Sequence, residues 1–283
     1  MIRAADSDFL QAMAVSSRAR DELARSELSD AQQKSQLLCL GPPAKLVLGP
    51  SGFDVIAELK KRSPAEGELD GTLESPEVQA GHYIAGGAAA LSVLTEPSQF
   101  NGDLEDLHAI AALDSTVPAM RKDFLVSRYQ VREARLAGAS GVLLIAAMLE
   151  ADQLKAMLDT AFELNMFALV EAFDQADLDK CVPVLEGYGS AIAKDGRCRY
   201  LLGVNCRNLR TLQVEFDHFA RMASHLPQGM PWVAESGVHS VEQANDLVAL
   251  GYRVALVGTA LMRSGDPAHT VAQFRAAGEG TCL

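Results

Sequence analysis

The sequence RYQVREARLAGASGVLLIAA at residues 128–147 contains one complete helix-to-strand unit. A helical pattern covers 128–137, Gly138 follows it, and the apolar run 141–147 comes next. Glycine often ends a helix because it adopts the left-handed backbone conformation without strain, and an unbroken apolar run is typical of a strand buried on both faces. The stretch therefore predicts a helix that packs on a strand of a parallel sheet.

The same unit recurs along the chain, and its repetition predicts the fold. Apolar runs that predict strands lie at 54–59, 90–94, 117–120, 141–147, 167–170, 200–204, 232–234 and 254–257. Helical patterns separate them, at 76–86, 102–112, 128–137, 151–164, 176–185, 217–224 and 241–250. This alternation implies parallel strands with right-handed crossovers. We expect a (β/α)8 TIM barrel rather than an open doubly wound sheet, because ELKKRSP at 58–64 is not a glycine-rich phosphate loop.

A helical extension is expected before the barrel. Phe9, Leu10, Met13 and Ala14 recur at helical spacing within residues 7–40, and Ser7 is a suitable N-cap. Turn signals at 41–43 and 49–52 isolate the short segment 45–48. We expect one domain over residues 1–283, made of an extension at 1–50, a barrel core at 51–267 and a C-terminal helix and tail at 268–283.

Composition narrows the classes of partner. The formal net charge of −12, without a basic stripe, argues against nucleic acid as a partner, although a small anionic substrate remains compatible with it. No apolar stretch approaches the ~20 residues that span a bilayer, so no membrane partner is expected. The five cysteines form no C-x-x-C pair, which favours a cytoplasmic protein without disulfides or a zinc site. We expect a monomer or weak homodimer without metal or cofactor.

Charged or polar residues follow several of the predicted strands. They are Glu58, Lys60, Lys122, Glu171, Asn205, Arg207, Glu235 and Ser236. The carboxyl ends of barrel strands converge on one face, where active sites of this fold are assembled. A single strand-end charge is as often a solvated rim residue as a catalyst, but matching positions in separate units favour a shared site. Glu58 and Lys60 are two residues apart on one strand, so they can pair directly.

Two glycines near the end of the chain favour a phosphate site. Gly237 follows the seventh predicted strand beside Ser236, and Gly258 follows the eighth beside Thr259. Loops after strands seven and eight commonly bind phosphate in such barrels through backbone N–H groups. The alternative is that both glycines only relieve crowding at turns. The histidines fall mostly in predicted helices or loops, and we assign them no catalytic or metal-binding role.

At these residues the chain resembles the indole-3-glycerol phosphate synthase family, from residue 54 to about 267. The stretches that carry the resemblance are IAELKKRSP at 56–64, LSVLTEP at 91–97 with FNG at 100–102, RKDF at 121–124, LVE at 169–171, GVNCRNL at 203–209, AESG at 234–237, and LVG at 256–258 with LMR at 261–263. The resemblance implies a carboxy-lyase of tryptophan biosynthesis. Its substrate would be 1-(2-carboxyphenylamino)-1-deoxyribulose 5-phosphate, which loses carbon dioxide and water to give indole-3-glycerol phosphate.

The resemblance also implies roles for individual residues. Lys122 would be the acid at the sugar ketone, Glu171 a base or proton relay, and Glu58 would orient Lys60, which contacts the phosphate or the substrate hydroxyls. Asn205 and Glu235 would bond the sugar hydroxyls, and Arg207 with Ser63 would hold the carboxylate. The glutamate that serves each step stays open at this point.

The remaining implied contacts are apolar. Phe100, Phe124 and Leu143 would form walls for the aromatic ring, with barrel core as the alternative for Leu143.

Departures from the family pattern leave other functions open. Ala65 and Glu66 stand where serine and lysine are usual, Thr259 and Ala260 replace a common glutamate and serine, and Cys206 replaces a common asparagine. The segment before residue 51 also matches poorly. A sugar-phosphate isomerase or a non-catalytic phosphate-ester sensor are the alternatives. The lysine and glutamate set argues against the isomerase, and the altered first loop motivates the sensor.

Overall fold

The computed structural model describes residues 9–49, 53–63, 67–68, 75–113, 116–208 and 213–277, with only the backbone at Ser63 and Glu68. The strands are β1 Asp54–Leu59, β2 Arg62–Ser63, β3 Gly67–Glu68, β4 Ala90–Leu94, β5 Ala119–Lys122, β6 Gly141–Ile145, β7 Phe167–Ala172, β8 Tyr200–Asn205, β9 Trp232–Glu235 and β10 Val254–Val257. The helices are α1 Phe9–Glu27, α2 Asp30–Leu37, α3 Pro76–Ala85, α4 Pro97–Phe100, α5 Leu104–Ala111, α6 Arg128–Leu136, α7 Ala151–Glu163, α8 Gln175–Glu186, α9 His218–Ala223, α10 Val241–Ala249, α11 Thr259–Met262 and α12 Pro267–Arg275.

Parallel strands close into a barrel in the order β1-β4-β5-β6-β7-β8-β9-β10, and β10 pairs with β1. This confirms the predicted (β/α)8 fold. The prediction of 117–120 for the third barrel strand was shifted, because β5 begins at Ala119, after Pro118, and ends at Lys122. Proline has no N–H to donate to a neighbouring strand, so it marks the edge of the element. The shift makes Lys122 the last residue of a strand.

Two layers of apolar side chains hold the barrel together. The strands β1, β4, β6, β7 and β8 are buried along their whole length, which explains their unbroken apolar runs. One layer lies between the strands and the surrounding helices, and the other fills the barrel interior. Gly138 ends its helix with positive φ, as predicted, and Gly251 does the same after α10.

The predicted N-terminal extension is present as α1 and α2, while Ser7 lies outside the described residues. Leu10 and Met13 of α1 join the interior layer, so this helix covers one end of the barrel. Helix α2 begins with a capping box at Ser29 and Gln32, which satisfies backbone donors at its first turn. The extension is therefore packed against the barrel through its apolar face.

The predicted segment 45–48 lies at the other end of the barrel. Leu46 is buried in the interior layer, and its carbonyl accepts a hydrogen bond of 2.7 Å from the backbone N–H of Cys198, just before β8. Asp54 at the start of β1 accepts from the backbone N–H of Gly49 at 3.0 Å. The segment thus covers the N-terminal end of the strands and leaves the C-terminal end for a site.

Candidate active site

A pocket opens at the C-terminal ends of the barrel strands. Most of the predicted site residues line it: Glu58, Lys60, Phe100, Lys122, Phe124, Leu143, Glu171, Asn205, Arg207, Ser236, Gly237, Gly258 and Thr259. Two predicted residues are not among these. Glu235 is fully buried behind the pocket, and the side chain of Ser63 lies outside the described part of the chain.

Lysine and glutamate side chains form a connected network in this pocket. Lys60 Nζ lies 2.9 Å from Glu58 Oε1, which confirms the pairing expected from their spacing on β1. Lys122 Nζ lies 3.7 Å from the other oxygen of the same carboxylate and 3.3 Å from Glu235 Oε2. Glu58 therefore bridges two ammonium groups, one from the residue that follows β1 and one from the end of β5.

The network keeps its lysine and its bridging glutamate charged. Burial opposes the ammonium form of Lys122, but the neighbouring Glu235, Glu58 and Glu171 outweigh it and raise the pKa of this lysine. Burial likewise opposes ionisation of Glu58, and Lys60 and Lys122 reverse this effect and lower the pKa of the carboxyl. Opposite charges at short range thus outweigh desolvation at both residues.

Glu235 behaves differently because it has no exposure to solvent. Burial, followed by the nearby charge of Glu171, raises the pKa of Glu235 well above its ordinary value, and the opposing charge of Lys122 does not restore it. Its carboxyl contacts Lys122 from behind the pocket wall.

Gly258 makes room for the Glu58 carboxylate. A Cβ atom built at Gly258 would lie 2.4 Å from Glu58 Oε1 and 3.2 Å from Lys60 Nζ, which is closer than such atoms approach. The crowding alternative considered for this glycine therefore has a structural basis, and the crowding comes from side chains that line the pocket. Gly237 has φ +67, and a Cβ there would lie 2.8 Å from Cys206 Sγ.

Asp123, which the sequence analysis left without a role, anchors the lysine-bearing strand. Its carboxylate accepts two hydrogen bonds of 2.8 Å from Arg20 and one of 3.1 Å from Arg121. Thr95 donates a further bond of 2.8 Å. These donors outweigh burial and hold the pKa of Asp123 well below its usual range. The residue next to Lys122 is thereby fixed to helix α1.

Aromatic side chains form one wall of the pocket. The rings of Phe9 and Phe124 meet edge to face with centroids 5.7 Å apart, and Phe100 lies 6.1 Å from Phe124. Leu143 is buried in the barrel interior and also lines the pocket, so its two predicted roles coincide. The sequence analysis missed Phe9 as a wall residue, because only the fold brings α1 to this end of the barrel.

Asn205, Arg207 and Ser236 complete the polar side of the pocket. Asn205 Oδ1 accepts a hydrogen bond of 2.9 Å from the backbone N–H of Arg207, which fixes the turn after β8. Ser236 has φ +67, a left-handed conformation that is uncommon outside glycine and places it at a sharp turn after β9. These residues present a guanidinium, an amide and a hydroxyl group to the pocket.

Other kinds of site were also searched for in the described residues. No group of histidine, cysteine, aspartate and glutamate in the residue ranges that the structure covers could hold a metal ion. Cys39, Cys181, Cys198 and Cys206 are free thiols. Among the described helices, none is both long enough and apolar enough to cross a membrane.

The fold and this pocket define the class of protein: a (β/α)8-barrel enzyme with a lysine and glutamate site at the C-terminal ends of its strands. Solved structures show the same fold. The 3-hexulose-6-phosphate synthase of Salmonella typhimurium superposes with a TM-score of 0.61 at 16% identity, over 80% of this chain and 98% of that one.

Comparison of sequences identifies the family. Residues 14–274 match the family described as indole-3-glycerol phosphate synthase. Proteins named indole-3-glycerol phosphate synthase share 46% identity over 77% of this chain and 78% of a Nocardioides protein, and 40% over 91% of this chain and 90% of a Mycobacterium avium protein. The chain belongs to the indole-3-glycerol phosphate synthase family. The match begins within α1, so the resemblance reaches further toward the N-terminus than the motifs alone indicated.

Proposed function

We propose that this chain closes the indole ring of 1-(2-carboxyphenylamino)-1-deoxyribulose 5-phosphate and releases carbon dioxide and water, giving indole-3-glycerol phosphate. Family membership supports the carboxy-lyase reaction and its place in tryptophan biosynthesis. The observation that carries the site assignment is the Lys122 ammonium group, which faces the pocket between Glu58 and Glu235. The reaction needs proton transfers and no redox step, so we propose no cofactor.

Lys122 would serve the first step. The ring carbon that bears the carboxylate attacks the sugar ketone, and negative charge develops on the ketone oxygen as the carbon–carbon bond forms. A charged ammonium group stabilises this oxygen and then protonates it. The surrounding carboxylates, which raise the pKa of Lys122, keep the group protonated before substrate arrives.

Glu171 and Lys60 would serve the later steps. After carbon dioxide leaves, the new hydroxyl departs as water while a proton is lost from the nitrogen side of the ring, so an acid and a base are required. Glu171 lines the pocket and would take the proton. Lys60 is held by Glu58 at 2.9 Å and would assist the departing hydroxyl or contact the phosphate.

The remaining pocket residues would bind substrate. Phe100, Phe124 and Leu143 would contain the aromatic ring, to which we add Phe9. Arg207 would hold the carboxylate, together with Ser63, and its planar guanidinium suits a bidentate contact. Asn205 would bond the sugar hydroxyls.

The phosphate would lie at the turns after β9 and β10. Ser236, Gly237, Gly258 and Thr259 line the pocket there and, with Lys60, would provide hydroxyl, backbone and ammonium donors. Glu235, predicted to bond substrate hydroxyls, is buried behind the wall, so we propose that it acts through Lys122 instead.

Turnover tests the proposal directly. Purified protein incubated with the carboxyphenylamino substrate should produce indole fluorescence. Lys122→Met should abolish the product while leaving the circular dichroism spectrum and much of the substrate binding intact. Lys155→Met is a matched control, because Lys155 lies on the outer surface with a 2.9 Å bond to Asp159.

The same assay distinguishes an active enzyme from the non-catalytic sensor. Saturable substrate binding without product in the wild-type protein would support a non-catalytic paralogue. Wild-type rates in Lys122→Met would remove this lysine from the mechanism. Ala65 and Glu66, which motivate the alternative, lie outside the described residues.

We further infer a single domain over 1–283, a cytoplasmic location, and a monomer or weak homodimer that binds no nucleic acid. Free thiols at Cys39, Cys181, Cys198 and Cys206 support the reducing compartment. Packing of α1 into the barrel interior supports the single domain. Sedimentation velocity at micromolar concentration measures the association state, and one cooperative unfolding transition is expected for one domain.

A further inference from the structure

The carboxyl groups of Glu171 and Glu235 approach each other across the strand that lies between their own strands. Glu171 is on β7 and Glu235 is on β9, with β8 between the two strands. Gly203 of β8 is the register partner of Glu171, and it also pairs with Val233 of β9. Glu171 nevertheless lies close enough to Glu235 for its charge and a side-chain hydrogen bond to raise the pKa of Glu235.

Gly203 makes this contact possible. A Cβ atom built on Gly203 would lie 2.1 Å from Glu235 Oε1 and 3.1 Å from Leu169 Cδ1, so the carboxyl occupies the space that any side chain would need. The missing side chain on the middle strand opens a window between the flanking strands. Glu235 reaches through it towards Glu171.

One oxygen of Glu235 has no hydrogen-bond donor. Oε2 contacts the Lys122 ammonium group at 3.3 Å, whereas Oε1 is buried and has no donor among the described residues. A buried carboxylate oxygen without a donor is costly. Two ionised carboxylates cannot bond to each other, but one proton between them converts the contact into a hydrogen bond.

We propose that Glu171 and Glu235 share one proton through the window at Gly203, and that Glu235 holds this proton when the pocket is empty. Glu235 is then a positioning residue, and Glu171 is the base of the proposed reaction. The role in turnover rests on the proposed function, whereas the shared proton does not.

Burial supports the location of the proton. Glu235 is the fully buried member of the pair, whereas Glu171 lines the pocket, and desolvation favours the neutral form of the group without access to water. The raised pKa of Glu235 has this same cause.

Because Glu235 already holds the shared proton, Glu171 is the glutamate that can accept a proton from the substrate. Glu171 remains ionised and receives a hydrogen bond from Glu235, which holds its carboxylate towards the pocket. When the substrate gives up its proton to Glu171, the pair holds two protons, and loss of one to solvent through the pocket restores the starting state. Lys122 keeps its bond to Oε2, because a neutral carboxyl still accepts from the ammonium group, and the charges of Glu58 and Glu171 still favour its protonated form.

Infrared difference spectroscopy tests the proton without turnover. The wild-type protein at pH 7.5 should show the C=O stretch of an un-ionised carboxylic acid, and Glu235→Gln should lose it. Glu242→Gln, an exposed control on α10, should keep it. Glu171→Gln should shift its frequency, because the acceptor changes from a carboxylate to an amide. Absence of the band in the wild type, or no change in either pocket variant, would overturn the proposal.

Kinetics test the positioning role separately. Glu171→Gln should lose the about 10²–10⁴-fold attributable to a general base, whereas Glu235→Gln should lose less, because its amide still donates to Glu171. KM should change little in Glu235→Gln, and the fall of kcat at high pH that accompanies ionisation of Glu235 should disappear. An unchanged high-pH limb in this variant would refute the role. A wild-type band without any product would refute the proposed function and leave the shared proton standing.

Discussion

Replacing Arg20 with glutamine is expected to weaken the attachment of helix α1 to the barrel. Arg20 donates two bonds of 2.8 Å to the carboxylate of Asp123, which is completely buried while the arginine side chain keeps 25% of its exposure. Asp123 would retain three donors, from Arg121 at 3.1 Å, Thr95 at 2.8 Å and the backbone N–H of Phe124 at 2.8 Å. The Asp123 carboxylate therefore loses two hydrogen bonds but keeps other donors.

These contacts set the size of the effect. Removing one partner of a fully buried ion pair costs about 3–5 kcal/mol of unfolding free energy. Because Asp123 keeps other donors and Arg20 is partly exposed, we expect about 2 kcal/mol for Arg20→Gln and about 3–5 kcal/mol for Asp123→Asn. The double variant should resemble Asp123→Asn alone, which corresponds to a coupling energy of about 2 kcal/mol.

Urea denaturation of the four proteins in this cycle measures the coupling, provided that the m-value is unchanged. Arg25→Gln is a control on the same helix, since the Arg25 side chain is 36% exposed and its bonds to Asp21 and Asp30 should contribute less than about 1 kcal/mol. A coupling energy below about 0.5 kcal/mol would show that the two residues are adjacent without holding α1 in place.

Three further outcomes are expected. Gly258→Ala should lower kcat/KM by about 10²-fold, as measured by steady-state kinetics. The new Cβ would lie 2.4 Å from Glu58 Oε1 and would therefore displace this carboxylate. The low pKa of Asp123 adds stability that is complete above the ordinary aspartate value of about 4 and is lost as the pH falls below it, so acid titration of unfolding should be steeper in the wild type than in Asp123→Asn. Iodoacetamide should modify the exposed Cys39 and spare Cys206 until the protein is denatured, since burial raises the pKa of the Cys206 thiol to about 12, and peptide mass mapping distinguishes the two.

The barrel was predictable because each of its units carries its own local signal. Buried strands need apolar side chains on both faces, and helices that return to them need a terminator such as Gly138, so the periodicity of the sequence records the fold. The end of β5 was less predictable, because the apolar pattern stops at Met120 while the strand continues through Arg121 and Lys122. Charged residues at a strand end are stabilised by tertiary contacts with distant residues, and local sequence patterns do not reveal those contacts.

The candidate site was predictable where its chemistry lies at strand ends, and it was not predictable where it depends on packing. The pairing of Glu58 with Lys60 follows from their alternation on one strand. The burial of Glu235 behind the wall, and the arrival of Phe9 from the first helix, follow from how the side chains fill the barrel mouth. Sequence spacing alone does not distinguish a carboxylate that lines the pocket from one that is buried behind the pocket wall.

Gly203 and Gly258 have a consequence for attempts to redesign this enzyme. Neither glycine has a side chain to contribute, yet each vacates a volume that a neighbouring carboxyl occupies. A mutagenesis library that treated both glycines as neutral positions and varied them freely would displace those carboxyls and is expected to lose activity in most of its clones. Variation for new substrates is better concentrated on Phe100, whose partly exposed ring can change size without disturbing either carboxyl.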